Sequence, residues 1–264
     1  CYWLPASFPL PKSFIPRPKK RGFVMELIVL GKYGPYPPEN GACSAYLART
    51  GQQNILFDCG SGAVARLQRY IPLRELSCVF LSHGHADHAG DLGILLYAWQ
   101  QLMAKGEVRD ALRVYGPNRE DIPFLVPGVS GFRTLTPGET VALGDDLVRC
   151  CAARHPLNAL SYRLEAQGSA LCYSGDTNDP DGLLPLARKA DLLLCDGGIP
   201  RARREERSPH MSPWEAGIVA RFAGVGRLLV THLHPDTPEE QAREEAAENF
   251  PNAQIANEME VYRL

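Results

Sequence analysis

Val79-Phe80-Leu81-Ser82-His83-Gly84-His85-Ala86-Asp87-His88-Ala89-Gly90-Asp91 decides how this chain is read. An apolar run ends at Ser82, and the next six residues hold three imidazoles and a carboxylate before helical spacing begins. A lone histidine or aspartate at a strand end is ordinarily a cap or a solvated loop residue. Four metal-competent side chains at this density predict a metal site. In an extended loop, residues two apart point the same way, so His83 and His85 can converge on one ion. Asp87 and His88 then turn toward a second position beside it. Zinc accepts imidazole nitrogen and carboxylate oxygen, and so do iron and manganese.

Around this segment, short apolar runs bounded by Gly, Pro or Asp read as buried strands. They cover 25–30, 43–49, 54–58, 77–82, 112–115, 147–153, 160–166, 169–173, 191–195, 227–231 and 258–263. Helical length and spacing mark 62–70, 89–104, 181–189, 213–223 and 238–248. Pro213 and Pro238 stand just inside two of these helices, after the cap candidates Ser212 and Thr237. Strands dominate each half and each half closes on helices. This order predicts sheets packed together with helices outside, rather than one doubly wound parallel sheet.

The 264 residues allow one large domain or two small ones at roughly 150 residues each. With 45% hydrophobic and 22% charged residues, the chain is neither disordered nor fibrous. Lys plus Arg number 28 against 30 Asp plus Glu, so no global field attracts nucleic acid or an anionic membrane, and any phosphate recognition must be local. The eight cysteines contain no Cys-x-x-Cys pair, and several sit in apolar runs, as buried reduced thiols do. No apolar stretch approaches the ~20 residues a membrane span needs. The expectation is a cytoplasmic protein with no membrane partner.

Residues 1–24 differ from the rest. Pro5, Pro9, Pro11, Pro16 and Pro18 precede Lys19-Lys20-Arg21, with no helical or strand period. A secretory signal places its basic residues before the apolar stretch, whereas here they come last. This segment reads as a non-globular leader foreign to the native protein, with Met25 as the start of a single domain over 25–264.

Three more positions complete the pattern around the histidine loop. His155 follows the strand at 147–153, Asp176 lies in Tyr173-Ser174-Gly175-Asp176-Thr177, and His232 ends Leu228-Leu229-Val230-Thr231-His232. With these, residues 25–264 resemble the metallo-β-lactamase superfamily of hydrolases, whose hallmark is His-x-His-x-Asp-His followed by a distant His, a bridging Asp and a final His. The resemblance implies an α+β fold, a four-layer αββα sandwich in which two mixed sheets pack face to face with helices outside. It also implies two divalent ions, zinc in the first instance and manganese or iron otherwise. His83, His85 and His155 would hold one ion, Asp87, His88 and His232 the other, and Asp176 would bridge them. Taken alone, His155 also reads as a strand-end residue and Asp176 as a turn former before Asn178-Asp179-Pro180. Asp58, in Ile55-Leu56-Phe57-Asp58-Cys59-Gly60, is either a carboxylate that positions a ligand imidazole from behind or an N-cap for the next helix.

Ser208-Pro209-His210-Met211-Ser212-Pro213-Trp214-Glu215-Ala216-Gly217 looks like the His motif of the transfer-RNA 3′-processing ribonuclease branch. There a histidine works with an acidic residue at a strand end as proton donor. Asp196 occupies the acidic position, where that branch usually has the longer Glu. His234, followed by Pro235, reads as a loop residue.

On this reading two adjacent cations supply hydroxide near neutral pH and polarise the bond it attacks. Asp87 or Asp176 would accept the water's remaining proton. His210, kept protonated by Asp196, would donate to the leaving oxygen. An alkoxide leaving group benefits most from such a donor, which favours an ester or phosphodiester over an amide, and the leading reading is a phosphodiester, either a cyclic nucleotide or a short nucleic-acid end. A carboxylic ester or lactone hydrolase is the first alternative, and a non-catalytic metal-binding scaffold the second. A small-molecule or short nucleic-acid substrate is the expected partner, with a homodimer admitted.

The β-lactamases of the superfamily generally carry Cys at the position of Asp176, and flavodiiron-type oxygen reducers carry Glu at that of His85. Only 20 residues separate His155 from Asp176, too few for the arm with which the ribonuclease branch grips transfer RNA. Thr231-His232-Leu233-His234-Pro235 also lacks the Ser and Arg that usually follow the final His in that branch. The chain is similar to small, arm-less bacterial metallo-hydrolases of the branch. Two further segments could touch substrate or merely pack: the Gly-, Pro- and Tyr-rich loop 31–41 with Tyr33 and Tyr36, and Arg201-Ala202-Arg203-Arg204-Glu205-Glu206-Arg207.

Overall fold

Strand β1 (Glu26–Gly31) shows how the layers arise: Leu27 and Val29 face one core while Ile28 and Leu30 face another. Successive strand residues point to opposite faces, so a continuous apolar run is a strand buried on both sides. The computed structural model describes residues 24–264. The leader expected over 1–24 lies outside them apart from Val24.

The first sheet adds β2 (Ala45–Arg49), β3 (Asn54–Phe57), β4 (Cys78–Phe80), β5 (Leu112–Gly116) and β6 (Ser130–Thr134). The second contains β7 (Thr140–Leu143), β8 (Asp146–Ala153), β9 (Ala159–Ala166), β10 (Ser169–Tyr173), β11 (Leu192–Asp196), β12 (Arg227–Thr231) and β13 (Gln254–Ile255). The chain then returns to the first sheet as β14 (Val261–Arg263), beside β1. The orders are β14-β1-β2-β3-β4-β5-β6 and β13-β12-β11-β10-β9-β8-β7. Each sheet is antiparallel through one half and parallel through the other.

Phe57 and Phe80 from the first sheet meet Tyr162 and Tyr173 from the second in the core between the sheets. Each fully buried aromatic removes enough surface from water to contribute roughly 1.5–3 kcal/mol. Helices α1 (Ala63–Leu67), α2 (Ala86–Ala89) and α3 (Leu92–Ala104) accompany the first sheet, whose outer face packs on Leu67, Leu92, Leu95 and Leu96. Helices α4 (Pro180–Ala187), α5 (Pro213–Ala223) and α6 (Glu239–Ala247) cover the second sheet through Leu183, Val219 and Ala246. The result is the expected sandwich of two mixed sheets with helices outside.

Local readings met mixed outcomes. Ser212 caps α5 in a reciprocal box with Glu215, as expected. Thr237 caps nothing in α6, because Pro238 itself takes the cap position and leaves no side-chain cap. The helix expected over 89–104 is α3, which begins at Leu92, and a separate short helix not foreseen, α2, occupies Ala86–Ala89 in the histidine loop. Strands β6, β7 and β13 were not foreseen.

Candidate metal centre

The parallel halves of the two sheets bring their carboxyl ends together, where loops leave the strands and ligands commonly bind. The loop after β4 carries His83, His85, Asp87 and His88. The second sheet supplies His155 after β8, Asp176 after β10, Asp196 at the end of β11 and His232 after β12.

Nε2 of His83 and Nε2 of His155 lie 2.9 and 3.1 Å from Nδ1 of His85. An ion bound tetrahedrally at about 2.0–2.1 Å holds its nitrogens about 3.3 Å apart, so these three atoms stand close to the edge lengths such an ion needs. A second group joins Asp87, His88 and His232, with Nε2 of His232 3.1 Å from Oδ2 of Asp87. Asp176 lies between the groups. Its Oδ2 is 3.2 Å from Nε2 of His88, 3.3 Å from Nε2 of His232 and 3.7 Å from Nε2 of His83.

The far nitrogens of the rings are held from behind. Nδ1 of His88 donates to Oδ2 of Asp58 at 2.7 Å, and Tyr173 donates to the same oxygen at 2.6 Å. Ser82 Oγ also donates to Asp58, so it can only accept from Nδ1 of His83, at 3.0 Å. That relay leaves the Nε2 lone pair of His83 facing the site. His155 points its Nδ1 at the carbonyl of Pro209, 3.3 Å away. Asp58 therefore sits behind an imidazole and not at a helix start. The cap of α1 is Gly62, which makes no side-chain bond. Asp58 (φ 55°) and His232 (φ 57°) both adopt the left-handed region that non-glycine residues rarely enter, and such strain collects at functional sites.

Asp58, Asp87, Asp176 and Asp196 are all buried, and the ion pairs at these four carboxylates are made by histidines. Buried carboxylates demand positive charge nearby. Burial acts to depress the His88 imidazole, yet Asp176 and Asp58 outweigh it and raise its pKa well above the ordinary value. Burial acts to raise Asp176, but His232 and His88 hold it well below the carboxylate range. His83 is pushed well down, first by burial and then by the charge of His88, which keeps it neutral. Nε2 of His88 and Oδ1 of Asp176 are buried with no hydrogen-bond partner. Donor types, spacing, charge deficit and orphaned atoms all fit divalent cations.

Beside this cluster, Nδ1 of His210 donates to Oδ2 of Asp196 at 3.0 Å, so the shorter carboxylate does reach. Thr177 and Gly198 also donate backbone N–H groups to Asp196, fixing it. Burial would lower the His210 imidazole, but Asp196 and Asp176 together raise it to about 9. His234 stands apart at the rim, edge-on to Tyr36 at 5.6 Å. Tyr33 donates to Glu239. Loop 31–41 nevertheless closes over one side of the centre: a Cβ on Gly34 would lie 2.0 Å from Nε2 of His232. In the arginine-rich run, Arg201 pairs with Glu248 and lies over Trp214, and Arg204 pairs with Glu215.

Sequence reasoning missed the Ser82 relay and the need for glycine at position 34, since neither residue type signals such a role by itself.

A family model described as the beta-lactamase superfamily domain matches residues 53–233. The chain belongs to the beta-lactamase superfamily. Within it, the chain is 30% identical over 237 residues to a probable metallo-hydrolase of Bacillus subtilis, YhfI, covering 86% of this chain and 94% of the relative. The crystal structure of YhfI, called a metallo-beta-lactamase fold protein, matches with a TM-score of 0.87 over 92% of this chain and 100% of that one. A ribonuclease Z of Mycolicibacterium paratuberculosis is 30% identical over 263 residues, spanning 86% of this chain and 93% of that protein. The short form of human tRNase Z shares the superfamily fold at 20% identity, with a TM-score of 0.73 over 90% of this chain and 98% of that chain.

Proposed function

We propose that the protein is a metal-dependent hydrolase whose substrate is a phosphodiester, either a cyclic nucleotide or a short nucleic-acid end. One observation carries this reading: two groups of three ligand-type side chains flank Asp176, with the His210–Asp196 pair alongside. The relatives named a metallo-hydrolase and ribonuclease Z support it.

His83, His85 and His155 would hold one ion, and Asp87, His88 and His232 the other, with Asp176 between them. Zinc suits the donor set, and manganese or iron are the alternatives. When bound, the ions would activate water and polarise the bond it attacks. Asp58, Ser82 and the Pro209 carbonyl fix which ring nitrogen His88, His83 and His155, respectively, turn inward. Asp87 and Asp176 are the carboxylates placed to take up the water's proton. Asp196 holds Nδ1 of His210, so the donated proton leaves from Nε2, toward the oxygen of the departing alcohol. A carboxylate behind an imidazole keeps it charged and oriented, which an alkoxide leaving group requires.

The seven described cysteines are all free, and no described helix is long and apolar enough to cross a membrane. Both support a cytoplasmic site of action.

Metal-defined protein should hydrolyse bis(p-nitrophenyl) phosphate. Turnover of a simple lactone with none of the phosphodiester would overturn the substrate class. Protein that takes up metal and hydrolyses neither would point to a scaffold.

A further inference from the structure

A cavity of about 630 Å³ opens against the metal centre with His155 in its wall. It is large enough for a nucleoside. Its polar lining includes Asp121, Arg154, Asn158 and Asp179, with Leu135 and Pro137 among its apolar residues.

Asp121 is tied to the catalytic loop by its backbone. A Cβ added to Gly84, between His83 and His85, would come within 1.8 Å of the Asp121 carbonyl oxygen. Glycine at 84 lets the two loops touch, so the position of Asp121 is referred directly to the metal ligands. Its carboxylate is also anchored. Oδ2 accepts from Nδ2 of Asn118 at 3.0 Å and from Nδ2 of Asn158 at 3.2 Å. Both bonds fall on one oxygen, and Oδ1 has no hydrogen-bond or ion-pair partner among the described residues. A fixed carboxylate with a spare oxygen is an acceptor awaiting a donor.

Arg154, also in the cavity lining, donates from Nε and Nη2 to Asn178. Its guanidinium therefore offers positive charge from a braced position, next in sequence to His155. A diester entering with its phosphate toward the histidines and Arg154 would leave its sugar to the rest of the cavity lining, which includes Asp121. Asp121 repels the phosphate and accepts from hydroxyls, so it selects that orientation. A carboxylate accepting from a ribose 2′-hydroxyl is a recurrent way of recognising that sugar.

We propose that Asp121 reads the ribose 2′-hydroxyl of the substrate and makes the enzyme prefer ribonucleotide over deoxyribonucleotide diesters. This rests on the phosphodiester reading above.

The test compares 3′,5′-cyclic AMP with its 2′-deoxy analogue, and adenylyl-adenosine with its fully deoxy counterpart, on metal-loaded wild type and Asp121→Asn. Wild type should favour the ribo member of at least one pair by roughly ten- to a hundredfold in kcat/KM, the loss expected when a hydrogen bond to a charged acceptor is deleted. In Asp121→Asn that ratio should fall to within about twofold of unity. A merely structural residue would lower both members alike and keep the ratio. Equal turnover of both members by wild type overturns the proposal even if the variant fails to fold, as does a ratio unchanged in the variant. Bis(p-nitrophenyl) phosphate, which has no sugar, separates the two claims. Its hydrolysis without sugar discrimination sinks only the role of Asp121, whereas no phosphodiester turnover at all sinks the function on which it rests.

Discussion

Oδ2 of Asp58 lies 2.7 Å from Nδ1 of His88, and both side chains are fully removed from solvent. This carboxylate decides which nitrogen of His88 faces the site. Asp58→Asn preserves size but removes the charge. We expect metal affinity to drop about ten- to a hundredfold, as such supporting groups typically contribute. Titration against a competing chelator measures it, and an unaltered affinity would show that Asp58 serves only the fold.

His210→Ala removes the group assigned to proton donation while leaving the two proposed ligand sets whole. Turnover should fall by about 10²–10⁴. Elemental analysis should find the wild-type metal content. Parallel loss of metal would make His210 a structural part of the centre.

Gly34→Ala tests the closure of loop 31–41. The new methyl group cannot share space with His232, so either the ring or the loop must move. Overpacking of this kind costs about 1–3 kcal/mol. Circular dichroism should stay native while metal occupancy falls, and a variant with full occupancy and full activity would contradict the contact.

Stripping the ions should destabilise the protein, because the buried carboxylates lose the positive charge that compensates them. At free metal 1,000-fold above the dissociation constant, a single site stabilises by about 4 kcal/mol. Melting temperature should therefore climb with added zinc or manganese. A melting curve indifferent to metal and chelator argues against an ion at this site.

Strands buried on both faces were legible in the sequence as apolar runs, and their ends carried the histidines and aspartates. The three strands that escaped notice, β6, β7 and β13, all lie at sheet edges. Ser130–Thr134 has no fully buried residue, and Gln254–Ile255 is two residues long, so neither shows a run or a period. Thr140–Leu143 does alternate, but over only four residues. The convergence of His83, His85, Asp87, His88, His155, Asp176 and His232 was expected from spacing together with resemblance. The pairing of Asp196 with His210 was likewise expected from the resemblance, although what makes it is the end of β11 meeting the entry of α5. Asp121 lay beyond reach because its meaning comes from the backbone contact at Gly84.

The centre draws its side chains from both sheets, and the last of them, His232, emerges late in synthesis. A nascent chain that has made only strands β1 to β6 owns three imidazoles and one carboxylate of the proposed set, yet has nothing with which to finish the cage. On the proposed ligand set, catalytic competence would arrive all at once near the end of translation, and products truncated before His232 would be inert.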